Sequence, residues 1–398
     1  MSKVARAARP ETVGVAPFFE KCFRYEDATR VRQTGYYSFF RVIESAQDPE
    51  VVHDGRRLVM MGSNNYLGLT NDPRVKEAAI EAIRKYGSGC AGSRFLNGTL
   101  DLHVRLEERL AEFMRQEAAV TFSTGFQVNL GAIACLVSKG DTVYLDKQDH
   151  ACIIDGARLS FGEVKKFKHN DPGDLRRQMR NDNEARGRLV VVDGVFSMEG
   201  DISPLPEIVS VAREFAAGVM VDDAHGIGVL GGGRGSSFSE NSYIAVPLQM
   251  GTLSKAIGSY GGYLCASAPV VELMRNRART LIYSTGLPPA SVAAAIAALD
   301  LIEREPAYAA LPVAKAKAFT RRAGLLEAQS PIVPIVIGDE EEALSASRAL
   351  EDEGFLVVAI RPPTVPPGTA RLRLTFTAQH PDDEIERLAD IVRDRLSA

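Results

Sequence analysis

Between residues 118 and 267 the chain contains five short runs rich in β-branched and aromatic residues: AAVTFST (118–124), DTVYLD (141–146), RLVVVD (188–193), GVMVDD (218–223) and GGYLCAS (261–267). Helix-compatible stretches separate them. Apolar runs of this length alternating with helices predict a mostly parallel sheet with helices packed over it. Ligands of such sheets bind in the crevice beyond the C-terminal ends of the strands, so the residues just after each run are the first candidates for chemistry.

Outward from this block, PRVKEAAIEAIRKYG (73–87) reads as an amphipathic helix with Pro73 near its start and Gly87 at its end, and LHVRLEERLAEFM (102–114) reads as another. Toward the C-terminus the pattern changes. IVPIVIG (332–338), GFLVVAI (354–360) and RLRLTFT (371–377) are predicted strands broken by a helix over EEALSASRALEDE (341–353), and PDDEIERLADIVRDRL (381–396) is a closing helix whose acidic first turn suits the helix dipole. With 398 residues, more than one core is expected: an N-terminal arm over 1–55, a large domain over 56–287 and a smaller α/β domain over 288–398.

The composition narrows the class. Hydrophobic residues make up 45%, charged residues 25%, and the formal net charge is -4. Basic residues are scattered and tryptophan is absent, which argues against nucleic-acid binding. The five cysteines (Cys22, Cys90, Cys135, Cys152, Cys265) contain no CxxC pair, so neither a disulfide framework nor a zinc site is expected. No window reaches the length of a membrane span and the N-terminus lacks an apolar signal core, giving the expectation of a cytoplasmic protein.

Four motifs carry possible chemistry. In GTLSKAIGSYGG (251–262), Lys255 stands between small hydroxyl residues and glycines. A desolvated lysine is a nucleophilic amine suited to a Schiff base with a cofactor aldehyde, while Thr252 and Ser254 offer hydroxyls to a phosphate. A surface lysine in a loop would read the same way. In VMVDDAHGIGVLG (219–231), Asp222 and Asp223 end a strand and His225 follows. A carboxylate there can keep a pyridine nitrogen protonated, although a metal pair or a helix cap is also consistent. No second cluster of ligand residues supports a metal, and none is expected. His150, in DKQDHACIIDGARLS (146–160), reaches the same edge and could stack on an aromatic ring or be a backbone-satisfied core histidine. Gly125 and Phe126, in FSTGFQVN (122–129), follow a strand and open a helix, an arrangement whose amides favour an anion. GSGCAG (87–92) and GIGVLG (226–231) match GxGxxG in letters only, since the first follows a helix and the second opens none.

These motifs, in this order and spacing, resemble the α-oxoamine synthases, a branch of the fold-type I pyridoxal-phosphate (PLP) enzymes. The likeness extends to SNNYLGLT (63–70), YGSGCAGSRFLNGTLDLHVRLEERLAEF (86–113), VVDGVFSMEGDISPL (191–205) and IRPPTVPPGTARLRLTF (360–376). Leu253 stands where phenylalanine is frequent in that family. The resemblance implies an α/β fold-type I transferase whose large domain holds PLP. Lys255 would carry the cofactor and act as base at the substrate Cα, Asp222 would pair with the pyridine nitrogen, His225 with the ring oxygen, and His150 would stack on the ring. Ser197 would lie close by. Gly125, Phe126, Thr252 and Ser254 would hold the phosphate, Ser284 would reach the phosphate of the neighbouring subunit in a homodimer, and Asn65, Arg361 and Arg373 would bind the substrate.

The implied reaction is a decarboxylating condensation of an amino acid with an acyl-CoA or acyl carrier protein. Within the family, residues 86–103 and RPPTVPPGT (361–369) look nearest to the serine palmitoyltransferases, implying L-serine and a long-chain acyl-CoA. Alanine with a pimeloyl thioester and glycine with acetyl-CoA are the alternatives within the branch. An aminotransferase or a non-catalytic subunit of the same fold are the alternatives outside it.

Overall fold

The computed structural model describes residues 17–26, 29, 32, 33, 37, 39–238 and 243–396. Residues 1–42 and 43–398 form two units. In the first, a 3-10 turn over Pro17–Phe19 runs into a one-turn helix, α1 (Glu20–Phe23). The basic stretch 1–16 and much of the expected N-terminal arm lie outside the described residues.

The second unit is organised by a seven-stranded sheet. Its strands are β3 (Ala118–Phe122), β4 (Thr142–Asp146), β5 (Glu163–Phe167), β6 (Arg188–Asp193), β7 (Gly218–Asp222), β8 (Leu248–Thr252) and β9 (Gly262–Ala266), in the order β3-β9-β8-β7-β6-β4-β5. Every neighbouring pair is parallel except those made by β9, which runs antiparallel to β3 and β8. All five predicted strands are present. The two unpredicted ones are the lysine-bearing edge strand EVKKF (β5), largely exposed, and the glycine-containing LQMGT (β8).

Side chains alternate across this sheet. Val191 and Met220 pack with Val128, Ile133 and Ile153 of helices α4 (Gly125–Leu136) and α5 (Ala151–Leu159). Val190, Val192, Val219 and Val221 pack on the opposite face with Leu175 of α6 (Pro172–Arg180) and Ile208 and Val211 of α7 (Leu205–Glu214). Each such valine, fully buried, contributes roughly 1.5–3 kcal/mol over an exposed one. A third cluster joins Val75 of α2 (Pro73–Tyr86) and Leu106 and Leu110 of α3 (Asp101–Phe113) to Val292, Ala295 and Leu299 of α10 (Pro289–Arg304). Helices α8 (Ala268–Arg277) and α9 (Arg279–Ile282) connect the sheet to α10.

Two small sheets complete the unit. β1 (Glu50–His53) and β11 (Phe355–Leu356) flank β2 (Arg56–Met60), while β10 (Ile332–Gly338) and β12 (Val358–Ile360) flank β13 (Ala370–Thr375). The predicted strand 354–360 is thus divided between two sheets. Helices α11 (Pro306–Ala323), α12 (Glu340–Asp352) and α13 (Asp382–Leu396) lie in this C-terminal part. No described helix is long and apolar enough to cross a membrane, and among the described residues no cluster of three or more His, Cys, Asp or Glu is placed to hold a metal ion.

One polar clamp ties the sheet edge to the loop that follows β6. His169 sits between Asp146 Oδ1 (3.0 Å) and Asp201 Oδ2 (2.9 Å) and packs edge-on against Phe196. Burial disfavours its charged form, but the two carboxylates overcome this and lift its pKa from 6.5 to about 10. A folded-state pKa above the unfolded one means that the stabilisation is complete below pH 6.5 and fades as pH rises through about 10. His169→Ala is expected to lower the unfolding free energy by about 2–4 kcal/mol near neutral pH, because two carboxylates lose their cation. Urea melts of both proteins check this, and the gap should narrow toward pH 10.

Candidate active site

The C-terminal ends of β6, β7 and β8 lie side by side, with Asp193 directly across from Asp222 in the register. Of the aspartate pair that ends β7, only Asp222 belongs to the site. Its Oδ2 accepts from Asn129 Nδ2 (2.6 Å) and its Oδ1 from the Ala224 amide (3.0 Å). Asp223 is buried against a glycine-lined turn, where it accepts from the Ser236 amide (2.5 Å). Burial raises its pKa to about 7. A Cβ at Gly226 would lie 1.9 Å from Asp223 Oδ1, so that turn tolerates no side chain there.

Lys255 projects from the segment after β8 and is held by His225, with Nζ 2.8 Å from Nε2. His225 Nδ1 is in turn 2.7 Å from Tyr66 Oη. Burial lowers the Lys255 pKa from 10.5 to about 8; Asp222 and Asp193 oppose that shift and Arg373 adds to it. Burial, with Lys255, Arg373 and His150 nearby, holds His225 well below 6.5, so its ring is neutral at pH 7. Burial and the adjacent Asp222 push Asp193 well above the ordinary carboxylate range. The Lys255 amine therefore releases its proton near neutrality, as a nucleophile or proton carrier requires.

His150 occupies the N-cap of α5. Its Nδ1 accepts from the Cys152 amide (3.2 Å) and lies 2.8 Å from Cys152 Sγ, which places the ring proton on Nε2. Cys152 Sγ also accepts from Asn129 Nδ2 (3.0 Å), so a continuous chain runs from Asp222 through Asn129 and Cys152 to the His150 ring. That ring is exposed, with Phe126 edge-on at 6.4 Å between centroids. Its outer face is available for a flat ligand.

An anion cradle adjoins. Thr124 caps α4 by accepting from the Gln127 amide (3.1 Å), which leaves the amides of Gly125 and Phe126 ahead of the first intrahelical bond. A Cβ added at Gly125 would sit 3.1 Å from Thr252 Cβ and Oγ1 and 3.2 Å from Met250 Cε. Thr252 donates to the Gly261 carbonyl (2.9 Å) and lies 2.8 Å from Ser254 Oγ. With the Thr252 proton given to Gly261, Ser254, the exposed member of the pair, donates to Thr252 Oγ1 and can turn that proton to an anion instead, its amide still pointing at Thr252 Oγ1 (3.4 Å). Ser284 Oγ lies 3.2 Å from Ser123 Oγ, which donates to the Thr285 carbonyl (2.8 Å), so Ser284 is placed beside the cradle within its own chain.

The substrate candidates divide. Arg373, buried on β13, donates from Nε to the Ser197 carbonyl (2.5 Å) and from a terminal nitrogen to Asn64 Oδ1 (3.2 Å). Ser197 thus enters through its backbone. Arg361 follows β12, whose Ile360 pairs with Arg371, and is half-buried. Asn65 is turned inward, its Nδ2 donating to the Gln47 carbonyl (2.9 Å) and to Thr70 Oγ1 (2.7 Å). Its neighbour Asn64 is the asparagine bonded to Arg373. Asn64, Tyr66, Asn129, Cys152 and Asp193 were not singled out from sequence. Asp193 shares the strand-end position that marked Asp222, and Asn129 lies one turn beyond Gly125 in an apolar helix, a detectable signal.

Gly125→Ala should force Thr252 and Met250 apart at the mouth of the cradle, a displacement worth about 1–3 kcal/mol in a packed site. Equilibrium dialysis is expected to show roughly tenfold weaker retention of a phosphate-bearing ligand, with the melting temperature changed by only a few degrees.

Comparison with known proteins shows the family. Residues 56–392 match the model of the family "Aminotransferase class I and II". A putative 8-amino-7-oxononanoate synthase from Parvibaculum lavamentivorans is 54% identical over 345 residues, 86% of this chain and 89% of that protein. Among solved structures, the serine palmitoyltransferase of Sphingomonas wittichii superposes with a TM-score of 0.90 at 33% identity, covering 96% of this chain and 98% of that one. The 8-amino-7-oxononanoate synthase of Francisella tularensis superposes with a TM-score of 0.71 at 27% identity, covering 85% and 98%. The chain belongs to the aminotransferase class I and II family, as a pyridoxal-phosphate-dependent α-oxoamine synthase of fold type I.

Proposed function

We propose that this protein condenses L-alanine with a pimeloyl thioester, releasing carbon dioxide and the free thiol and forming 8-amino-7-oxononanoate. The observation that carries this reading is the 54% identity to a relative of that name over 89% of its length. It displaces the serine and long-chain acyl-CoA pair expected from the glycine-rich segment at 86–103. A specific observation keeps serine as a second reading: the serine palmitoyltransferase structure superposes at 0.90, against 0.71 for the Francisella enzyme.

The residues present fit PLP. A buried amine of lowered pKa, a carboxylate fixed by Asn129, an imidazole with an open face and an amide-and-hydroxyl cradle stand around one strand edge. Lys255 would hold the cofactor aldehyde, Asp222 its pyridine nitrogen, His225 its ring oxygen, and Gly125, Phe126 and Ser254 its phosphate. Bound there, PLP supplies an electron sink for the charge left at the substrate Cα. Lys255, with its pKa near 8, would take the proton from Cα and return it to the product. His150 would cover one face of the site and exclude water from it. Arg373, joined by Arg361, would orient the substrate carboxylate by charge-assisted hydrogen bonds. Phe95, Leu96 and Tyr283 are exposed apolar side chains suited to contact with a second copy of the chain, and in such a homodimer Ser284, beside the cradle of its own chain, would also reach the phosphate of the neighbouring subunit.

Purified protein supplied with alanine, serine or glycine, each against pimeloyl, palmitoyl and acetyl thioesters, should turn over alanine with pimeloyl thioester at least tenfold faster than any other pair, by product mass. Dominant serine and palmitoyl turnover would establish the second reading instead. Labelled substrate carboxyl carbon should appear as carbon dioxide; its retention in the product would point to transamination. Arg373→Ala should raise the amino-acid KM by about 10–100-fold, the worth of a charged hydrogen bond, as steady-state kinetics would show.

A further inference from the structure

The mechanism leaves one buried polar group unexplained. Tyr66 is fully buried, yet its hydroxyl lies 2.7 Å from His225 Nδ1 and 3.2 Å from Asn64 Oδ1. Beyond it, His225 Nε2 is 2.8 Å from Lys255 Nζ, and Asn64 Oδ1 also accepts from Arg373. A single hydrogen-bonded row thus runs from Arg373 through Asn64, Tyr66 and His225 to Lys255.

A neutral imidazole donates from one nitrogen and accepts at the other. When Lys255 is an ammonium it donates to Nε2, so Nδ1 carries the ring proton and donates to Tyr66 Oη, and the tyrosine proton turns to Asn64. When Lys255 is a neutral amine, Nε2 can donate to it. Nδ1 then accepts from Tyr66, and Asn64 keeps its donor in Arg373. Both states are fully bonded without moving a heavy atom, because a phenol both donates and accepts. We infer that Tyr66 is a positioning residue that lets His225 exchange tautomers as Lys255 gains and loses its proton. This rests on Lys255 being the cofactor-bearing amine, as proposed above.

Phenylalanine at this position keeps the ring and removes the switch. The ammonium state would then bury an unpaired N–H at Nδ1, whereas the amine state buries only an unpaired lone pair, the cheaper defect. Of the other groups facing this row, Asp222 on β7, Asp193 on β6, and His150 and Cys152 at the start of α5 keep their contacts, while Arg373 on β13 loses its bond to the Tyr66 hydroxyl in both states of Lys255 alike.

The test uses the full-length chain stripped of cofactor. Lys255 is acetylated with acetic anhydride across pH 6–11, a range of about two to three units on each side of its expected midpoint, and modification is read by mass spectrometry with the other lysines as internal references. In Tyr66→Phe the Lys255 midpoint should move to lower pH by about one unit, a tenfold change in proton affinity. Asn64→Leu, which removes the acceptor that the Tyr66 hydroxyl needs only in the ammonium state and the Arg373 contact in both, should move it the same way and serves if Tyr66→Phe does not fold. A Lys255 midpoint that stays at the wild-type value, or rises, in a folded variant overturns the inference. Failure of the proposed cofactor site is recognised separately: Lys255→Ala would then still retain pyridoxal phosphate after borohydride treatment.

Discussion

The burial of one amine organises this site. Lys255 is placed at the C-terminal edge of a parallel sheet, where it meets a neutral imidazole at 2.8 Å and, among the described residues, no carboxylate within ion-pair distance. A lysine in that position loses hydration without gaining a full ion-pair partner, and its pKa falls to about 8. Asp222 and Asp193 are near enough to limit the fall, but Asp222 is engaged with Asn129 and Asp193 with the His150 amide. The carboxylates are bonded elsewhere, and the amine is left reactive.

The same physical economy explains why the neighbouring residues are where they are. Parallel strands of similar length end on one line, so β6, β7 and β8 deliver Asp193, Asp222 and the Thr252 segment to a common edge. The short β3–α4 connection sets the first amides of α4 beside Thr252, so closely that a Cβ at Gly125 would require its neighbours to shift by a few tenths of an ångström. Arg373 arrives from a different sheet. It is anchored by the Ser197 carbonyl, and Arg371 on the same strand holds the Met198 carbonyl and Glu199, so the loop after β6 is gripped by two arginines two residues apart. The candidate substrate and cofactor groups thus stand on separate sheets that meet at one loop.

The two kinds of likeness bear on different features. Overall shape is nearer to the Sphingomonas serine palmitoyltransferase than to the Francisella 8-amino-7-oxononanoate synthase, while sequence identity is high to a relative carrying the latter name. Selection among acyl chains and amino acids depends on side chains around the ligand, where a few substitutions change the result with the fold untouched.

Much of this was legible from the chain alone. Five of the seven main strands, the helices at 73–86 and 101–113, and the strand-end positions of Asp222 and His150 follow from local patterns, because burial on both faces imposes long apolar runs and strand ends impose polar ones. β5 and β8 were hidden, the first by the exposed lysines of an edge strand and the second by Gly251. Tertiary structure alone decided which of two adjacent residues faces the site. Asp222 does and Asp223 does not, and Asn64 meets Arg373 while Asn65 turns to Gln47 and Thr70. It also decided that Tyr66, 159 residues from His225, completes the row to Lys255. Sequence pattern reports whether a position is buried, but the partner of a buried polar atom is set by three-dimensional packing between distant segments, which no local periodicity encodes.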